Sequence, residues 1–378
     1  MRRRSLGAAF TALAATGLLL LGVSPGAVEP AKKFKIFLSM SYTGNDWQSE
    51  NANMLQAMAK TKTYRDKVDL QVQVAGANAQ VQSQQINSMV QASANAIVVF
   101  PISPTGINNA VKAACSKGVI VIAYAADIDE PCAYIVTIDE KQVGPITAQW
   151  LVDELHGKGR IVLVTGVAGT SVDADRTNGA KSIFAKYPDV KVIAEVNGNW
   201  SQPTARQELA KVVATHGWDG IDGIWMQTGC YTAAAMQLEA GIAEKDVKPC
   251  AGEATNGHRI QMMPTGTVPG EGPYRAFGYR SISYGSPLYS AAYSFKIAVD
   301  MLEGNKHPRL TPLPLPLARS GEMVVCKEGT WKEWKATGCN VFPTDWVSPS
   351  WFSPIFGEPT PEVGFKAAKE QIPEQDYQ

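Results

Sequence analysis

Short apolar runs alternate along most of the chain with stretches whose apolar residues recur every three or four positions. FKIFLSM (34–40) is strand-like, and AIVVF (96–100), GVIVIAY (118–124) and the IVLV of RIVLV (160–164) are unbroken apolar runs rich in β-branched residues. That is the pattern of strands covered on both faces. LQVQV (70–74) instead alternates with period two, as a strand with one wet face does. Helical spacing predicts segments at about 47–60, around Ile86, Met89 and Val90, and at 105–117. The alternation restarts after TIDE (137–140). Helices at 143–156, 175–187, 203–216 and 231–243 then interleave with strands at 160–164, 190–196, 221–226 and 247–253. A late strand (275–282) and helix (287–302) follow. PRLTPLPLPLA (308–318) reads as an extended linker. The stretch from Asn340, rich in Pro and Trp and without periodicity, reads as an arm packed on the surface or a partly disordered tail.

The fold class is therefore α/β: two successive units, each a parallel sheet flanked by helices. Open parallel sheets bind ligands outside the carboxyl ends of their strands. The loops at 40–48, 75–78, 100–105, 124–129, 165–176, 197–202, 227–231, 253–257 and 279–284 are thus the candidate site.

The first residues add a compartment. MRRRS is followed by an apolar run and then by small residues and prolines, which predicts a signal peptide over 1–27, cut between Ser24 and Ala31. The adjacent arginines allow either general or twin-arginine export. The mature chain is expected to be periplasmic, and no later segment is apolar enough to span a bilayer. Charge balances at 35 basic and 35 acidic residues, so nothing directs the chain to nucleic acid. Six cysteines suit an oxidising compartment. Of the fifteen connectivities they permit, the local set is favoured: Cys115 with Cys132, Cys230 with Cys250, and Cys326 with Cys339. Each pair brackets one predicted unit, and closing the first loop contributes about 3 kcal/mol in the chain-entropy model. With no C-x-x-C and no histidine at ligand spacing, no metal or other cofactor is expected.

VTGVAGTSVDADRTNG (164–179) places glycines between a strand and a helix, as a phosphate cradle would. It lacks both G-x-x-x-x-G-K-[ST] and G-x-G-x-x-G, so its glycines read as tight turns and close backbone approach. This loop, SYTGNDWQ, AIVVFPISPTGINNAVKAACSKGVIVIAYAADIDEPCAY and GNWSQ together resemble type I periplasmic binding proteins. The nearest branch is the ribose-binding-like one, which serves ABC importers of simple sugars. The resemblance covers about residues 33–340.

It implies two Rossmann-like lobes joined by a three-segment hinge, with the ligand trapped between them. The lobes would be 33–138 plus 281–307, and 139–280 plus 308–340, with 341–378 as the tail. It places ligand contacts at Asn45, Trp47 and Gln48 from the first lobe. From the second it places Arg176, Trp200, Gln227, Thr228 and Glu253, with Ser281 near the last crossover. Arg176 offers a fork of donors suited to vicinal hydroxyls or a carboxylate. Its plain alternative is a surface ion pair with Asp173 or Asp175. Trp47 and Trp200 would sandwich a sugar face; Trp47 could instead be core packing at the helix start, and Trp200 an exposed loop residue with neither role. Glu253 would accept from hydroxyls or else cap a helix. The chain departs from ribose-type relatives after GVIVIAY: Ala125 and Ala126 replace an Asp-Arg pair, and either Asp127, one residue on, takes its place as a ligand contact or the ligand is not an ordinary pentose.

The expected function is capture of a small ligand, a monosaccharide or sugar derivative, by a monomer that delivers it to an ABC permease in the inner membrane. An alternative is a ligand-binding partner of a periplasmic chemoreceptor or sensor kinase. A secreted carbohydrate-active enzyme is disfavoured, because G-x-S-x-G, H-E-x-x-H and any Ser-His-Asp or Cys-His set are missing.

Overall fold

The computed structural model describes residues 33–41 and 43–378. The expected signal peptide and its cleavage region lie outside the described residues. The first half runs β1 (Phe34–Met40), α1 (Asp46–Lys60), β2 (Val68–Val74), α2 (Ala79–Gln91), β3 (Ala96–Val99), α3 (Asn108–Ser116), β4 (Ile120–Tyr124) and β5 (Tyr134–Thr137). The second runs α4 (Glu140–Glu154), β6 (Gly159–Thr165), α5 (Ser171–Phe184), β7 (Val190–Asn197), α6 (Gln202–His216), β8 (Gly223–Met226), α7 (Cys230–Glu239), β9 (Cys250–Glu253), α8 (Asn256–Met262) and β10 (Ser281–Tyr284). The chain then returns through α9 (Ser290–Leu302), β11 (Leu310–Pro312) and β12 (Ala318–Arg319), and ends with α10 (Trp331–Thr337) and α11 (Phe365–Glu370).

Two six-stranded sheets result, ordered β11-β5-β4-β3-β1-β2 and β12-β10-β9-β8-β6-β7. Every pairing is parallel except β10 with β12. Position in the sheet explains the sequence pattern. β3 is central and buried at all four residues, whereas β2 and β7 lie at edges and are mostly exposed or half-buried, with Val72, Val74 and Val192 about two-fifths exposed. Side-chain caps start several helices at the strands' carboxyl ends: Asn45 for α1, Thr170 for α5, Ser201 for α6 and Thr255 for α8. The three disulfides join the expected local pairs.

The chain crosses between sheets three times, at 138–139, 285–289 and 313–317. Two of these points differ from the expected boundaries. Ser281 was placed at the start of a segment returning to the first lobe, yet β10 is hydrogen-bonded to β9 in the second sheet. Residues 308–318 were read as a linker of the second lobe, yet β11 pairs with β5 in the first. β5 itself, four residues long and starting two residues after Cys132, has no counterpart among the predicted strands.

The segment after Asn340 is a packed arm rather than a disordered one, and part of it is buried. Phe342, Phe352, Ile355, Val363, Ala367 and Ala368 are 0–2% exposed within the core around α1 and α9. Asn256 of the second lobe exchanges hydrogen bonds with the Phe342 backbone, both at 2.8 Å. Phe352 forms a bridge with Thr255, while its N–H donates to Glu50 of α1 at 2.9 Å. Farther on, Asn53 donates to the Ala368 carbonyl at 2.8 Å. The tail is therefore a strap running from the second lobe onto the back of α1.

Candidate functional site

The strand-end loops converge where the two sheets face each other. From the first lobe, the β1–α1 turn brings in Asn45, Trp47 and Gln48. The Asn45 side chain has two jobs. Its oxygen accepts from the Gln48 N–H at 3.2 Å, and its amide donates to the Trp200 carbonyl of the other lobe at 3.2 Å. Trp47 is 6% exposed and donates from Nε1 to the Ser286 carbonyl at 3.0 Å. Tyr124 stacks on one side of its ring, and Phe100 meets it edge-on at 5.7 Å. The Gln48 Oε1 accepts from the Tyr124 hydroxyl at 3.4 Å.

From the second lobe, α5 presents Arg176, which is 1% exposed. Nε donates to Glu140 at 2.7 Å and Nη2 to the other oxygen of Glu140 at 3.2 Å. Nη1 donates to Glu253 at 3.1 Å, and Nη2 to the Ser286 hydroxyl at 2.9 Å. A guanidinium has five N–H donors, so these four bonds leave one. Neither Asp173 nor Asp175 pairs with it. Asp173 accepts instead from the Gly166 N–H at 2.7 Å and from Gln227 at 2.8 Å, holding the glycine loop in place.

Burial opposes the charge on Arg176, but Glu140, Tyr284 and Glu253 outweigh it and raise its pKa further. Burial also raises the Glu253 pKa, against the lowering effects of Arg176 and of the Thr228 hydroxyl that donates to it. The group is an ion triad with two carboxylates around one guanidinium.

Trp200 donates from Nε1 to Gln227 at 2.8 Å. A Cβ on Gly166 would stand 2.1 Å from that nitrogen. The glycine is thus required for close approach of the indole rather than for a phosphate.

Six expected residues line one cavity: Asn45, Trp47, Gln48, Arg176, Trp200 and Glu253. Gln227 and Thr228 stand just behind it, bonded to Trp200 and Glu253. Asp127 does not line it; its N–H donates to Ser171 of the second lobe at 3.0 Å. Ser281 is also outside. It lies at the opposite end of β10, where its hydroxyl donates to the Cys250 carbonyl. The loop past the carboxyl end of β10 supplies Ser286 instead. Phe100, Ala125 and Val172, all within the candidate loops, complete the lining. Glu140 was missed because β5 was missed; the acidic end of TIDE was its signal. The cavity measures about 20 Å³, on the scale of one water, which needs about 10–15 Å³. The lobes are closed on it.

A profile of the periplasmic binding protein domain matches residues 36–306. The chain belongs to this family. Within it, the chain falls among the type I, simple-sugar proteins. A xylitol-binding protein of Mycolicibacterium smegmatis is 28% identical over 236 residues, 62% of this chain and 66% of its own length, just under two thirds. The galactofuranose-binding protein of Escherichia coli is 22% identical over 240 residues, 61% of this chain and 73% of its own. An ABC transporter solute binding protein of Thermobispora bispora superposes with a TM-score of 0.67 at 23% identity, covering 85% of this chain and 90% of its own, which establishes the shared fold. These relatives are named as binding proteins. Among the described residues, no helix is long and apolar enough to cross a membrane.

Proposed function

We propose that this protein captures a neutral, polyhydroxylated small molecule between its lobes, a monosaccharide or sugar alcohol, and delivers it to an ABC importer in the inner membrane. The observation that carries the reading is the meeting of two indoles, Trp47 and Trp200, with Arg176 and Glu253 in one interlobe cavity, the guanidinium being already paired with Glu253 and with Glu140 outside the lining. Indole faces suit the C–H faces of a polyol. The carboxylate of Glu253, on the cavity lining, accepts from hydroxyls, while Arg176, with one donor left, offers little to an anion. The names of the relatives, which bind xylitol and galactofuranose, agree with this class. Ligand entry requires the lobes to part about the three crossovers, and ligand bonds to both lobes favour the closed form. The lobes are proposed as 33–138 plus 286–312, and 139–285 plus 313–341.

The test is thermal melting and calorimetry against xylitol, pentoses, hexoses and the matching sugar acids. A ligand present at 100 times its Kd adds about 2.7 kcal/mol of stability. A shift with a neutral member and none with its acid is the expected result. Binding of acids alone would overturn the reading.

A further inference from the structure

A second cavity, of about 670 Å³, lies away from the interlobe site, where two crossovers, α10 with the Cys326–Cys339 disulfide that brackets it, and the strap meet. Its wall is mostly apolar and includes Pro287, Tyr289, Leu313, Leu317, Trp334 and Phe356. One lining residue does not fit that description. Arg259, on α8, is 2% exposed. Its Nε donates to the Ser283 hydroxyl at 3.0 Å, Nη1 to the Asn340 carbonyl at 3.0 Å and Nη2 to the Pro316 carbonyl at 3.3 Å. Asn340 and Pro316 both line the cavity, so the guanidinium sits at its wall.

All three acceptors are neutral. Among the described residues, no carboxylate reaches Arg259. The acid on the lining, Glu358, is 61% exposed and pairs with Lys335. Burial alone lowers the Arg259 pKa to about 10, which leaves it charged at neutral pH. A buried cation without a counter-ion is costly, and here it borders a space large enough for a ligand. Ligand pockets combine such apolar walls with a few placed polar groups.

We infer that this cavity is a second binding site, for a small apolar carboxylate whose anion pairs with Arg259 and whose body lies on the aromatic and proline wall. The carboxylate supplies the one charge the cavity lacks, and the guanidinium fork matches it in shape. The site is separate from the sugar-type cavity in both chemistry and position.

The test is calorimetric titration of the purified protein with 3-phenylpropionate and, in parallel, with its neutral amide, 3-phenylpropanamide. Saturable binding of the acid, about tenfold or more weaker for the amide, is the expected result. The amide comparison uses the unaltered protein and so does not depend on any variant folding. Leu317→Trp, which fills the cavity from a half-buried position, should weaken the acid by about tenfold, and Arg259→Gln should bring acid and amide to the same affinity. Equal affinities for acid and amide in the unaltered protein would overturn the inference. So would no binding of the acid at millimolar concentration, or binding that Leu317→Trp leaves unchanged.

Discussion

The interlobe site and the hinge-side cavity are each built around a guanidinium no more than 2% exposed, yet the two are solved differently. Arg176 is surrounded by two carboxylates, and its charge is more firmly held than in water. Arg259 has a hydroxyl and two carbonyls, and its charge is less firmly held. Burial alone therefore does not say what an arginine does. A compensated guanidinium is a scaffold that fixes its own acids, and an uncompensated one retains a demand for an anion.

The comparison is most easily broken at Arg176. Arg176→Met leaves Glu140 and Glu253 buried without their cation and should cost about 3–5 kcal/mol, read by urea denaturation at neutral pH. Adding Glu140→Gln and Glu253→Gln should restore part of it. An unchanged midpoint in the single variant would show that the triad is not coupled. Gly166→Ala comes next: its Cβ would collide with Trp200 and Gln227. The expected loss is about 1–3 kcal/mol, with ligand affinity falling alongside stability. Arg259→Met should cost less, about 1 kcal/mol, because lost bonds to neutral acceptors are offset by removal of an uncompensated charge. A cost equal to that of Arg176→Met would erase the distinction.

The smallest effect concerns Glu50, a buried acid with no cation at all. One oxygen accepts from the Phe352 N–H, and the other has no partner. Burial first, and then the charge of Asp46, raise its pKa well above the ordinary 4.5. The folded state therefore holds this proton more tightly than the unfolded chain does. That contribution is fully present below pH 4.5 and is lost as pH rises through the folded value. Glu50→Gln should match the parent near pH 4 and exceed it at pH 8 by on the order of 1 kcal/mol. Parallel pH profiles for the two proteins would contradict this.

How much of this was legible depended on whether a residue's partners were local. Unbroken β-branched runs announced β3, β4 and β6, and strand-end position alone singled out most of the cavity lining. β5 escaped notice because four residues between a disulfide and an acidic turn carry too little period. Losing it hid Glu140, which meets Arg176 only across 36 positions of sequence. Ser281 was expected at the site because the late strand reads as 275–282 in sequence, whereas β10 runs Ser281–Tyr284 and its carboxyl end leads to Ser286. The strap was illegible for a different reason. Its aromatics and prolines dock singly onto surfaces made elsewhere, so no repeat records them.

That strap also bears on how the lobes can move. At Phe352 it touches Thr255 of one lobe and Glu50 of the other within a single residue. A movement that keeps both contacts has to be a rotation about that point, like a door on a pin, and not a sliding apart. Asn45 and Trp47 stand one to two turns along the same helix from the pin, so the angle through which the door swings is the quantity that the strap sets.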